Sequence, residues 1–139
     1  MTMKKSMTMK RKQIQIPIFN VSLQLFVGKL DTVITYLSAT YHENLWHCRQ
    51  DWDIDGCCFT NLPDGSIALW MHPDCDWTVL AHETGHATFY IIKQLGMSVE
   101  DEELFCYLHQ HLNEQCKCIL HEPTELTDPP PTQEDTLPS

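Results

Sequence analysis

Five consecutive residues, His82-Glu83-Thr84-Gly85-His86, constrain this chain more than any other stretch of it. Thr78-Val-Leu-Ala81 precedes them and Ala87-Thr-Phe-Tyr-Ile-Ile92 follows. That pattern predicts one helix from about Trp77 to Leu95, apolar nearly all round and therefore buried, with Gly96 as its stop. Two imidazoles and a carboxylate in such a helix are destabilising unless partners satisfy them. Histidines four apart project from one helix face, a turn from each other. Their ring nitrogens suit one Zn²⁺ at ~2.0–2.1 Å each, with Glu83 beside the metal as the general base. The plainer alternative is a pair of hydrogen-bonded core histidines. Gly85 disfavours a helix interior by ~1 kcal/mol relative to alanine, so close approach of another element is expected there.

A zinc centre that performs chemistry takes three protein ligands and keeps a fourth position open. A third histidine downstream, in the pattern H-E-x-x-H-x-x-G-x-x-H, is excluded, because Phe89 holds the glycine place and Ile92 the last histidine place. A carboxylate from a following helix is the alternative. Ser98-Val-Glu-Asp101 has the spacing of a capping box and opens a second helix to about Cys118. On that helix Leu104, Phe105, Leu108 and Leu112 form one apolar stripe. Glu103, Cys106, Tyr107 and Gln110 form another, and small Cys106 would let a second helix come close. Glu103 is the preferred third ligand, and spacing leaves Glu102 open. Tyr90, Tyr107, His109 and His111 are candidates to stabilise a developing oxyanion.

His82 to Gly96, followed by Asp101-Glu-Glu-Leu-Phe-Cys-Tyr-Leu108, resembles a group of small phage-encoded, zincin-like metallopeptidases of the gluzincin type. These carry H-E-x-x-H-A on one helix and acidic-Glu-x-x-(Ala/Cys)-Tyr-Leu on the next. The resemblance covers roughly Ser66 to Leu112. The chain is similar, more loosely, to the peptidase domain of regulators that cleave phage repressors. The resemblance implies Glu103 as the ligand completing His82 and His86, with one Zn²⁺ per chain. It also implies hydrolysis of a peptide or protein substrate through a metal-activated water. A second function stays open: a non-catalytic, metal-binding regulatory or interaction protein of a phage or mobile element that retains the zincin fold.

The rest of the chain fits one α+β domain. We expect a small, mostly antiparallel sheet packed against the H-E-x-x-H helix and the glutamate helix. At 139 residues the chain is the size of a single core. Gln13–Phe19 and Val21–Val27 alternate as strands do, and Asp31 is placed to cap a helix over Thr32–Tyr41. His42 to Gly56 reads as loop. Cys57–Asn61, Pro63-Asp-Gly65 and Ser66–Met71 read as strand, turn, strand. Ser66–Met71 is either an edge strand that pairs with an extended peptide or an internal strand with no ligand. Asp74 or Asp76 caps the metal-bearing helix. Residues 1–12 read as a basic, disordered arm, 13–120 as the domain, and 121–139 as an acidic, Pro-rich, disordered tail.

The net charge of −10 is uneven: Lys4, Lys5, Lys10, Arg11 and Lys12 precede any acid, which leaves −10 − 5 = −15 on the remainder. That acidity argues against nucleic acid as the main partner. No apolar run approaches the ~20 residues a membrane span needs. The start lacks the apolar core and cleavage site of a signal peptide, so a cytoplasmic protein is expected, in the host cytoplasm if phage-encoded. Seven cysteines are then expected to stay reduced. Cys57, Cys58, Cys75, Cys116 and Cys118 with His72 and His121 could in principle form a second, structural zinc site, although Cys116-x-Cys118 lacks the usual spacing. Trp46, Trp52, Trp70 and Trp77 read as core or interface. The sequence leaves oligomeric state open.

Overall fold

A computed structural model describes residues 9–16, 19–45, 55–60 and 62–122. The elements are β1 (Met9–Ile16), β2 (Val21–Gly28), α1 (Leu30–Tyr41), β3 (Gly56–Phe59), β4 (Ile67–Met71), α2 (Trp77–Gln94) and α3 (Glu102–His121). Residues 1–8 of the expected arm, most of the expected loop after His42 and the tail beyond Glu122 lie outside the described residues, as do Trp46 and Trp52.

β1 and β2 form an antiparallel hairpin with Met9 opposite Gly28 and Ile16 opposite Val21. Asn20 takes a positive φ of 52° at the turn, where asparagine is tolerated better than most residues. β1 begins four residues before the expected Gln13, so Met9 to Lys12 belong to the sheet and not to an arm. The period-2 pattern continues through the basic residues. Lys10, Ile14 and Ile16 are buried toward α3, while Met9 turns to the opposite face. Lys10 keeps its ammonium there by donating to the Ile119 carbonyl at 2.6 Å and the Glu122 carbonyl at 2.9 Å. Those oxygens end α3, where a cation complements the helix dipole.

The strand order is β1-β2-β4-β3. β1–β2 and β3–β4 are antiparallel, but β2–β4 is parallel, so the sheet is mixed and not simply antiparallel. A parallel neighbour needs a crossover, and here the chain from Leu30 to Leu62 provides it. β4 lies between β2 and β3 with all five residues buried. The edge-strand reading of Ser66–Met71 is therefore overturned; β3 is the edge beside the helices.

Each face of the sheet has its own core. Leu23, Leu25 and Val27 of β2 and Ile67, Leu69 and Met71 of β4 pack with α2 and α3. Phe26, Ala68 and Trp70 point the other way and pack with Val33, Ile34 and Leu37 of α1. Trp70, 2% exposed, donates its indole N–H to the Gly28 carbonyl at 2.8 Å. The fold is thus α+β: a four-stranded mixed sheet with α1 on one face and α2 and α3 on the other.

Helix ends differ from expectation in two places. α1 starts at Leu30 after Lys29 with no side-chain cap, so Asp31 sits inside the first turn. α3 is capped by Asp101, whose carboxylate accepts from Leu104 N–H at 3.1 Å; the Ser98 hydroxyl accepts from Glu100 N–H and does not reach the helix. The cap therefore lies three residues later than the Ser98 box, because Asp101 offers a charged acceptor to the helix dipole. α2 follows expectation, with Asp76 accepting from Val79 N–H at 3.1 Å. It ends at Gly96, φ 70°, where Gly96 N–H reaches Lys93 O and Met97 N–H reaches Ile92 O, a Schellman closure.

Candidate metal centre and adjoining cleft

α2 is one-sided, contrary to the expectation of a helix buried all round. Leu80, Thr84, Ala87, Thr88, Ile91 and Ile92 face the core, while His82, His86, Phe89 and Tyr90 are exposed. The apolar flanks of the motif divide between sheet and solvent, and the histidines fall on the solvent side. Their rings converge. His82 Nε2 and His86 Nε2 stand 3.1 Å apart, with ring centroids at 4.7 Å. Two nitrogens bonded to one tetrahedral Zn²⁺ would be separated by about 3.3 Å. Without a cation the same spacing is a hydrogen bond from one ring N–H to the other ring's lone pair.

Glu83 points a quarter-turn away, toward β3. It is half-buried, and burial pushes its carboxyl above the ordinary range while His82 and His86 pull it back. A cleft of about 280 Å³ opens beside it, lined by Asp55, Gly56, Thr78, Val79, His82 and Glu83. Gly56 opens β3 against α2. A Cβ there would stand 2.7 Å from Val79 Cγ1 and 2.9 Å from Glu83 Cγ. The expected loop ends at Gly56, which instead begins β3; an isolated glycine before Cys57-Cys58-Phe59 is the signal for this, since glycine in a strand often marks close backbone approach.

α3 lies antiparallel along α2. Trp77 meets His121, Thr84 meets Asn113, and Ala81 meets His109. The Thr84 hydroxyl sits 2.8 Å from Leu80 O and 2.9 Å from Asn113 Oδ1, and donates its proton to one of them. His109 Nε2 donates to Ala81 O at 3.0 Å or to Thr84 Oγ1 at 3.1 Å. His109 is thus an interhelical tie at the level of the motif. His111 has a buried Nε2 without a partner. Tyr90 and Tyr107 are exposed. The element that approaches Gly85 is the His109 ring, but a Cβ at 85 would meet it at an ordinary 3.8 Å. Glycine is therefore not required there by space.

Glu103 and Glu102 are exposed in the first turn of α3, where carboxylates favour the positive helix end. Leu108, Leu112, Cys116 and Ile119 carry the inward face of this helix. That choice turns Glu103, Cys106, Tyr107 and Gln110 to solvent, so Cys106 does not receive a second helix. Glu103 also lies six residues before His109, about 9 Å along the axis toward the C-terminal end of α2. Among the described residues, no group of three or more His, Cys, Asp or Glu side chains stands together as a metal would need. The structure brings His82 and His86 together and leaves Glu103 and Glu102 apart from them. The same statement covers the described cysteines. Cys58 and Cys116 are pushed up to about 12, chiefly by burial, which makes both thiols poor nucleophiles at neutral pH.

Among the described residues no helix is long and apolar enough to cross a membrane. No family model, curated protein or solved structure matches this chain.

Proposed function

We propose that the chain is a zinc-dependent peptidase whose general base is Glu83. The observation that carries this reading is the 3.1 Å convergence of His82 and His86 beside a half-buried Glu83 that lines a cleft. The imidazole pair fits a divalent cation in donor type and separation. Zn²⁺ held by His82 and His86 would supply Lewis-acid activation of water and of the scissile carbonyl; Glu103, or Glu102 as its alternative, would have to move toward the pair to serve as third ligand. Glu83 then takes the proton of the attacking water and delivers it to the leaving amine. An extended substrate runs along the free edge of β3, the only sheet edge among the described strands that borders the cleft; this role passes from β4 to β3. A zincin-like arrangement belongs to this proposal.

A second reading has one observation in its favour. Glu102 and Glu103 have a sufficient role as helix N-terminal acids, and among the described residues no third ligand stands at the histidine pair. A metal-binding regulatory or interaction protein that cuts nothing fits those facts. Zinc content of wild type, Glu103→Ala and Glu102→Ala, with casein hydrolysis by wild type and Glu83→Gln, separates the two. The peptidase reading expects about one zinc per chain, loss of zinc in one glutamate variant, and casein cleavage abolished in zinc-loaded Glu83→Gln. Hydrolysis retained in Glu83→Gln would sink it. Zinc bound without cleavage supports the second reading.

A further inference from the structure

We infer that Gly56 is a positioning residue for Glu83: the side chain missing at 56 is the space in which the glutamate stem rests. A Cβ at 56 would stand 2.7 Å from Val79 Cγ1, 2.9 Å from Glu83 Cγ and 3.4 Å from Met71 Sδ. The first two distances are each shorter than folded proteins tolerate, so both neighbours, or the strand itself, have to move. Met71 is fully buried in the core beneath the helices. Val79 is β-branched, which leaves it one strongly preferred rotamer in a helix, and it packs against that same core. Glu83 has three rotatable bonds and an open cleft on one side. Of the two it yields the more readily, while the Val79 contact is a strain that remains in either background, so the coupling to Glu83 is partial.

The reason for glycine here is space and not backbone conformation, since Gly56 does not occupy the left-handed region that Gly65 and Gly96 adopt. Gly56 also begins the edge strand β3, and Asp55 beside it accepts from His72 N–H at 2.8 Å. That bond keeps the start of β3 against the end of β4, so the strand does not swing away to relieve a clash. The backbone at 56 thereby forms one wall of a slot, and α2 forms the other. The slot holds the carboxylate at the cleft face next to His82.

This inference rests on the proposed role of Glu83, but its test has a readout that does not. The first arm is a stability cycle on zinc-free protein: wild type, Gly56→Ala, Glu83→Ala and the double variant. Glu83→Ala removes the Cγ that would clash. The loss of Tm on Gly56→Ala is expected to shrink in the Glu83→Ala background, because contacting residues couple. Equal losses in both backgrounds would overturn the inference, whether or not the protein cleaves anything. The second arm uses zinc-loaded protein and fluorescein-casein. Gly56→Ala is expected to keep zinc content while lowering kcat by about a hundredfold, the scale of a misplacement of roughly 1 Å. An unchanged kcat in zinc-loaded Gly56→Ala would show that Glu83 keeps its place without the space at residue 56. Absence of casein cleavage in every variant, with coupling intact in the first arm, removes the peptidase reading and leaves the positioning of Glu83 standing.

Discussion

Replacing Lys10 by methionine tests whether the buried ammonium that closes α3 contributes to stability. Lys10 is 5% exposed and donates to two carbonyls, at 2.6 Å and 2.9 Å. Hydrogen bonds from a charged donor contribute roughly 1.5–3 kcal/mol each, and a cation at a helix C-terminus adds up to ~2 kcal/mol when partly buried. Desolvating the ammonium opposes these by several kcal/mol, and methionine avoids that penalty with a stem of similar length. The oxygens left behind decide the balance. Glu122 is exposed, so its carbonyl regains water; Ile119 is 7% exposed, and its carbonyl keeps only the 3.2 Å contact from Glu122 N–H, shared with the Cys118 carbonyl, so loss of the charged donor costs ~1–3 kcal/mol. A net loss of about 2 kcal/mol follows, or roughly 8 °C in Tm for a domain of this size. Thermal and urea unfolding measure it, and amide exchange should show early loss of protection in the last turn of α3. A Lys10→Met protein within ~0.5 kcal/mol of wild type would refute the reasoning, since the ammonium would then only break even.

Three other outcomes follow from the same structure. Glu83 has a raised proton affinity in the folded state, so its stabilising contribution is complete below the unfolded pKa and is lost as pH rises through the folded one. Zinc-free Glu83→Gln should accordingly melt above wild type at pH 7, with the gap closing in mild acid; a gap independent of pH would contradict this. Asp101→Ala should destabilise by about 1 kcal/mol through loss of the Leu104 cap, and Ser98→Ala by clearly less, a ranking that urea titration can reverse. Iodoacetamide at pH 8 should alkylate exposed Cys106 and Cys118 in minutes and leave Cys58 and Cys116 intact, as peptide mapping would show.

The helix that carries His82 and His86 was legible because its signals are local: Asp76, the apolar repeat and Gly96 each act within one turn of themselves. The hairpin and the β3–β4 turn were legible for the same reason. The parallel pairing of β2 with β4 was not, because it depends on how α1 covers the sheet and no residue in either strand announces it. Burial of β4 on both faces follows from that placement; alternation of Ile67 and Leu69 with Ala68 and Trp70 conceals it, since all four are apolar. In the site, the pairing of His82 with His86 was set by helix geometry alone. Glu103 was chosen from the stripe it shares with Cys106, and the stronger stripe of Leu108 and Leu112 won the core instead. The place of Gly56 beside Glu83 spans 27 residues and two elements, and only packing reveals it.

The cleft is lined wholly by residues between Asp55 and Glu83, whereas the Lys10 contact with Ile119 joins residues 109 apart. Closing the longer loop costs about 1 kcal/mol more in chain entropy, by logarithmic scaling. Contacts of low sequence separation form before those of high separation. The wall of the cleft is therefore expected to assemble early, and the tie between β1 and the end of α3 to close late. Variants at Lys10 should speed unfolding and leave the refolding arm of a chevron in place. The surface that holds Glu83 is then in position before the chain has finished folding around it.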